Sequence, residues 1–190
     1  MAPNQLSFLD PSAAMPEGLG YEPGFLSEEE QRALVGRIAT LPFREFEFHG
    51  FLGKRRTVSF GHHYAFDGSG LREAEPVPDF LEAALRRAAS FAEVEPEALR
   101  HTLVTEYAPA AGIGWHRDRP VFGDVVGISL LAPARLRFRR KRGDQWQRAA
   151  LIAEPRSAYL LRGPARTEWE HSIPPLDALR YSITFRTLRA

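Results

Sequence analysis

The sequence predicts a mainly β fold with flanking helices. Three observations carry that prediction. From His101 onward, short alternating apolar–polar runs recur with Gly, Pro or charged turns between them, as in a sandwich or jelly roll. The helical periodicities fall earlier, in the first half of the chain. The 190 residues are 44% hydrophobic, with no internal repeat and no linker composition, which suits one domain with one sizeable core.

The elements follow in order. Residues 1–20 hold Pro3, Pro11, Pro16, Gly18 and Gly20 and no periodicity, so they read as a flexible arm. The remaining 21–190 read as a single domain. Ser27-Glu28-Glu29-Glu30 is a capping box, and the helix it opens runs to about Thr40, burying Leu34, Val35 and Ile38. Phe43 to Phe48 alternates like a strand, and Val58 to Tyr64 reads as its return across a His49–Gly53 loop. Pro78 to Phe91 is a second helix, with Phe80, Leu81, Ala84, Leu85 and Ala88 on one face. The strands expected after it are Leu103–Tyr107, Val125–Leu131, Leu136–Arg140, Trp146–Ile152, Ala158–Leu161, Thr167–His171 and Tyr181–Leu188. The expected architecture is a double-stranded β-helix over about 101–188, its helices buttressing one sheet and a lid region over about 43–66.

Composition removes several chemistries. With no cysteine there is no disulfide, thiolate zinc site, iron–sulfur cluster or cysteine nucleophile, so any metal must be held by His, Asp or Glu. No apolar run approaches the length of a membrane span. The first residues are too polar and Pro-rich for a signal peptide. A soluble cytoplasmic monomer is the expected form. The net charge of +1 announces no polyanion partner by itself, but the cations cluster. Arg135, Arg137, Arg139, Arg140, Lys141 and Arg142 form one group and Lys54, Arg55 and Arg56 another, as a local phosphate contact requires.

Gly114-Trp115-His116-Arg117-Asp118 carries the chemistry together with distant His171. On an extended strand His116 and Asp118 project from one face. Two imidazoles and a carboxylate on one side of an ion make the facial triad of non-haem Fe(II) oxygenases, which leaves positions open. Gly112 and Gly114 allow the chain to turn sharply into the site. Arg180 and Arg186 lie six apart on an alternating strand, on the face of Ser182 and Thr184 and opposite Tyr181, Ile183 and Phe185. Two arginines on one interior face call for an anion, and a guanidinium fork suits a carboxylate.

Tyr107-Ala108-Pro109, His116-x-Asp118, His171 and Arg180-Tyr181-Ser182-Ile183-Thr184-Phe185-Arg186 together resemble the AlkB family of Fe(II)- and 2-oxoglutarate-dependent dioxygenases. The resemblance covers about 101–188, and the second arginine after Thr-Phe is its most specific mark. It implies that His116, Asp118 and His171 bind Fe(II). It also implies that Arg180 pairs with the distal carboxylate of 2-oxoglutarate, that Tyr107 hydrogen-bonds this co-substrate, and that Arg186 sits near its iron-side carboxylate. With O2, such enzymes convert 2-oxoglutarate to succinate and carbon dioxide and hydroxylate an N-linked alkyl group. On a methylated or etheno-bridged base the product collapses to the repaired base. Thr105 and Ser182 stand where the family often has Asn, and both retain hydrogen-bonding capacity for the cofactor site. Pro120 stands where repair members commonly carry an acidic residue that reads the damaged base.

On the substrate side, Lys54, Arg55, Arg56, His62 and Tyr64 fall where the family places its lid, cations for phosphate and aromatics for an extruded base. His62 and Tyr64 are expected on one strand face, opposite His63. Trp115 and Trp169 read as walls of the site, His49 and His101 as structural. Gln5-Leu6-Ser7-Phe8-Leu9 resembles the peptide by which bacterial repair proteins bind the sliding clamp, with its last two apolar residues exchanged. The expected function is therefore removal of alkyl groups from nucleic-acid bases in DNA or RNA, as in DNA alkylation repair. The alternative keeps the oxygenase chemistry and acts on a protein side chain or small molecule. A third reading is a jelly-roll binding module without catalysis.

Overall fold

A computed structural model describes residues 15–48, 51–65 and 70–189, with the side chains of 46–54 and 63–71 outside the description. Two antiparallel sheets face each other. In chain order the elements are β1 (Leu19–Glu22), α1 (Glu28–Ile38), β2 (Arg44–Phe48), β3 (Phe51–Ala65), β4 (Gly70–Glu73), α2 (Asp79–Phe91) and β5 (His101–Tyr107). There follow β6 (Ile113–His116), β7 (Phe122–Leu130), β8 (Ala134–Arg142), β9 (Gln145–Ala153), β10 (Ala158–Leu161), α3 (Gly163–Thr167), β11 (Glu170–Ile173) and β12 (Arg180–Leu188). The major sheet runs β1-β10-β7-β12-β5-β3-β2, with β4 on β3, and the minor sheet runs β6-β11-β8-β9. This is the double-stranded β-helix expected.

Two cores follow from strand alternation. On one face of the major sheet Val104, Val126, Ile128, Tyr181, Ile183 and Phe185 meet Leu34 and Ile38 of α1 and Leu81, Ala84 and Ala88 of α2. The helices therefore cover that face as buttresses. Ser27 caps α1 in a complete capping box with Glu30. On the other face Tyr107 and Val125 meet Leu136, Phe138, Leu151, Trp169 and Ile173 of the minor sheet and its connection. The site lies in this second layer, between the sheets.

Several sequence expectations change. Leu19 and Gly20, read as arm, pair with Leu161 and Leu160 as β1, and Met15 packs on the inter-sheet core. The sequence places a strand at 167–171, but Pro164 opens a short helix at Gly163 and the strand begins at Glu170. Phe51, Leu52 and Gly53, read as loop, extend β3. The four-residue strands β1, β4 and β6 are too short for their alternation to stand out. The clamp-like peptide 5–9 and His49-Gly50, the first part of the expected loop, lie outside the described residues.

Candidate metal and co-substrate site

The minor sheet brings the two histidines together. β6 is its edge strand, and His116 pairs directly with His171 on β11. Ile113 and Ile173 form the next pair, so β6 spends three residues where β11 spends two. That bulge turns Ile113 and His116 inward and leaves Trp115 on the outer face. The two imidazole centroids are 4.3 Å apart. Asp118 lies just past β6, its Oδ1 3.7 Å from His116 Nε2 and 3.9 Å from His171 Nε2. One ligand atom from each of the three residues falls within 4.8 Å of the others.

Each group is in the state a metal needs. The Nδ1 of His116 is 2.9 Å from the carbonyl of Gly114, which only accepts, so that nitrogen carries the proton and Nε2 is a free lone pair. Burial pushes both imidazoles toward the neutral form, His171 down to about 3 with His116 adding to the effect. Burial alone would raise the Asp118 carboxyl. The Arg186 guanidinium and the two imidazoles outweigh it and hold the group well below the usual carboxylate range. Two neutral imidazoles and one carboxylate result, the donor set of the facial triad.

The loop that carries Asp118 is fixed by a residue the sequence did not single out. Arg166, buried in α3, donates from Nε to the Gly123 carbonyl at 2.9 Å and from Nη2 to those of Arg119 and Phe122 at 2.7 Å. Its three acceptors span the turn after Asp118 and the first two residues of β7. Arg117 adds a bond to the Thr167 carbonyl from the same loop.

The major sheet supplies the opposite wall. Register sets Arg180 against Tyr107, Ser182 against Thr105, Thr184 against Leu103 and Arg186 against His101. The next strand places Arg55 against Tyr107 and Thr57 against Thr105. Arg55, Thr57, Thr105, Tyr107, Ser182, Thr184 and Arg186 line one cavity with His116, Asp118 and His171. Tyr159 lines it as well, its ring lying where a Cβ on Gly127 would stand, which explains the glycine in β7. Burial pushes the Tyr159 hydroxyl up to about 12, so it stays protonated.

The two arginines differ in what they touch. Arg186 Nε is 2.8 Å from Asp118 Oδ2, and its Nη1 meets Thr184 Oγ1 at 2.9 Å and His101 Nδ1 at 3.2 Å. Its first partner is thus the carboxylate of the triad. Arg180 is fully buried, donates from Nε to Ser129 Oγ at 3.0 Å, and lies 5.1 Å over the Tyr107 ring. Its Nη1 and Nη2 have no partner among the described residues. A buried guanidinium with two orphaned nitrogens is costly unless an anion completes it. A carboxylate fork does so. These residues therefore fit Fe(II) and 2-oxoglutarate.

The lid cations and aromatics separate. Arg55 faces the cavity, whereas alternation turns Arg56 to the helix-covered side, where it pairs with Glu106 at 2.8 Å and lies over Phe43. The sequence grouped the two as one phosphate contact, and the strand divides them. His62 follows Gly61, whose φ of +75° and close approach to the Arg100 carbonyl break the alternation. His62, expected on the lid as a base-stacking residue, has its Nδ1 3.1 Å from that carbonyl in a cleft with Glu73, Val77 and Leu99, separate from the cavity that holds the triad. The side chains of Lys54 and Tyr64 lie outside the described residues. His101, read as structural, instead touches Arg186, while Trp169 is buried beside Arg140. Sequence reasoning also missed Ser129, Tyr159 and Thr57. Only Thr57 had a signal, its even spacing from Arg55.

Comparison with known proteins places this geometry. The 2OG-Fe(II) oxygenase superfamily matches residues 18–186. An "Alkylated DNA repair protein ALKBH8 homolog" of Arabidopsis thaliana is 26% identical over 97% of this chain and 59% of its own. The mitochondrial "Alpha-ketoglutarate-dependent dioxygenase alkB homolog 7" of Mus musculus is 32% identical over 80% of this chain and 65% of its own. The chain thus spans about three-fifths of the length of these relatives. "The structure of OsALKBH1" superposes with a TM-score of 0.62 at 17% identity, covering 95% of this chain and 100% of that one, and so shares the fold. With the triad, the two arginines and the match over residues 18–186 in agreement, the chain belongs to the 2OG-Fe(II) oxygenase superfamily, in its AlkB family, whose members use Fe(II), 2-oxoglutarate and O2.

Proposed function

We propose that this protein is a dioxygenase that removes alkyl groups from nucleic-acid bases. The observation that carries the oxygenase part is the pairing of the His116–Asp118–His171 cluster with a buried Arg180 whose two Nη atoms await an anion. His116, Asp118 and His171 would hold Fe(II), and Arg180, supported by Ser129, would hold the distal carboxylate of 2-oxoglutarate. Tyr107, Thr105 and Ser182 offer hydroxyls to the same co-substrate from adjoining strands. Bound there, Fe(II) with 2-oxoglutarate and O2 would supply the oxidant for hydroxylating an alkyl carbon, 2-oxoglutarate being consumed to succinate and carbon dioxide. Arg186 orients Asp118 and keeps it ionised. Phe138 and Ile173 give the triad an apolar backing, Phe138 lying beside His171. Arg55 offers a cation at the cavity wall for an anionic substrate. A hydroxylated N-methyl group is a hemiaminal, which collapses to formaldehyde and the free base.

The names of two relatives support a nucleic-acid target. One is an alkylated DNA repair protein homolog, and a second, 25% identical over 91% of this chain and 27% of its own, is "tRNA (carboxymethyluridine(34)-5-O)-methyltransferase ALKBH8" of Mus musculus. Pro120 favours a second reading, the same oxidation of a protein side chain or small molecule, since it cannot hydrogen-bond a base as an acid would. Incubation with Fe(II), 2-oxoglutarate and methylated or etheno-adenine oligonucleotides decides between them. Equal formaldehyde and succinate from a methylated strand are expected. Succinate without base repair would transfer the reading to the second substrate class, and neither product would refute the oxygenase.

A further inference from the structure

The outer face of the minor sheet carries a cationic, aromatic surface that the site does not use. Strand alternation sends Arg135, Arg137, Arg139 and Lys141 of β8 outward, while Leu136 and Phe138 go into the core. On β9, Arg148 stands directly opposite Arg139 and Trp146 opposite Lys141. The Arg139 guanidinium lies between two indoles, 4.5 Å from the centre of Trp115 and 4.6 Å from that of Trp146. Arg137 lies 5.0 Å over the other flank of the face, on Trp115. Glu170 is bound to Arg139 at 2.6 Å.

Two features of this face oppose stability and so ask for another cause. Like charges directly opposite across a sheet are destabilising, and of Arg139 and Arg148 it is Arg139 that has a carboxylate, Glu170, beside it among the described residues. Trp146 is 41% exposed and Ile152, on the same strand, 43%. Arg135, Lys141 and Arg148 are exposed and carry no ion pair among the described residues. A flat face of cations with an indole between them is the chemistry that tracks a phosphate backbone and stacks its bases. An acidic protein segment would use the cations but not the exposed indole.

We propose that this outer face holds a single strand of nucleic acid, its phosphates on Arg135, Lys141 and Arg148 and a base on Trp146. The proposal rests on the nucleic-acid reading above. The contacts lie on β8 and β9, and Arg139 links Trp146 to Trp115, the residue before His116, so the face reaches across the sheet to the strand that carries a metal ligand. The face would retain the substrate strand while the target base enters the cavity.

The test uses labelled 12-mers of unmodified oligo(dT) and oligo(rU), with binding followed by anisotropy across a sodium chloride series. Arg135→Gln/Arg148→Gln should flatten the log–log salt slope by roughly 1.4 units, from about 0.7 per phosphate contact on a single strand. Trp146→Ala should weaken binding roughly five-fold or more with the slope unchanged, since stacking is not ionic. Substrate-free turnover of 2-oxoglutarate should stay at the wild-type level in every variant. Variants that bind like wild type, while wild type still binds oligonucleotide and releases formaldehyde from a methylated strand, would overturn the face and leave the nucleic-acid reading standing. A wild type that neither binds oligonucleotide nor releases formaldehyde would remove both. A labelled poly-glutamate peptide that binds wild type more tightly than either oligonucleotide would also overturn the proposal, by assigning the face to an acidic protein.

Discussion

Arg180 and Arg186 sit on one face of one strand, and their partners give them different work. Arg186 is occupied by Asp118, Thr184 and His101, whereas Arg180 keeps two buried donors unpaired. Replacing Arg180 with Ala removes the fork for the distal carboxylate. An uncompensated buried charge costs roughly 3–5 kcal/mol, so the 2-oxoglutarate requirement should rise at least a hundred-fold. Replacing Arg186 with Ala should act on the metal instead. Loss of an outer partner typically lowers metal affinity about 10–100-fold, with a smaller change in 2-oxoglutarate requirement. Fe(II) and 2-oxoglutarate titrations of succinate formation separate the two, and equal shifts in both variants would contradict the division. The sequence set both arginines on the correct face because strand parity is a local rule. It could not say that Arg186 closes onto Asp118, 68 residues away, because that distance is set by how two sheets pack.

Elements deliver the triad through backbone fit, and the glycines around β6 test that account. Both Gly112 and Gly114 looked like turn residues in sequence, and the structure distinguishes them. A Cβ on Gly112 would stand 2.6 Å from the Ile173 carbonyl, against the end of β11, whereas one on Gly114 would meet open space. Gly112→Ala must push β6 off β11 and with it His116 off His171. A loss of about 1–3 kcal/mol is expected from such overpacking, with a fall in Fe(II) affinity. Gly114→Ala should be close to neutral in thermal melts, and equal losses at the two positions would refute the close approach as the cause. The helices and longer strands were legible because their periodicities extend over many residues. The four-residue β6 was not, since its bulge breaks alternation within four residues. Arg55 and Arg56 part for a related reason. A run of adjacent cations reads as one patch in sequence, but a strand sends neighbours to opposite faces, Arg55 to the cavity and Arg56 to Glu106.

At the scale of the whole molecule, the site joins two sheets that otherwise meet through apolar packing. His116 and His171 belong to the minor sheet, Arg180, Arg186 and Tyr107 to the major, and Asp118 lies on the loop between them. Among the described residues the short contact to Asp118 comes from Arg186, at 2.8 Å, its distances to the imidazoles being 3.7 and 3.9 Å. A divalent ion bound by all three residues would couple the sheets, and 2-oxoglutarate bridging to Arg180 would couple them again. Binding to the folded state alone adds about 2.7 kcal/mol at a hundred times Kd, worth roughly 5–10 °C in Tm for a chain of this size. Mn(II), which does not turn over, serves as the probe. Mn(II) with 2-oxoglutarate should raise Tm by more than the sum of the two added singly, because each ligand completes a site that the other shares. Asp118→Ala should abolish the Mn(II) shift, and Arg180→Ala should keep it while losing the further gain from 2-oxoglutarate. A wild type whose Tm is unmoved by Mn(II) would break the assignment of the triad. Additive shifts that survive Arg180→Ala would break the assignment of the co-substrate to the cavity between the sheets.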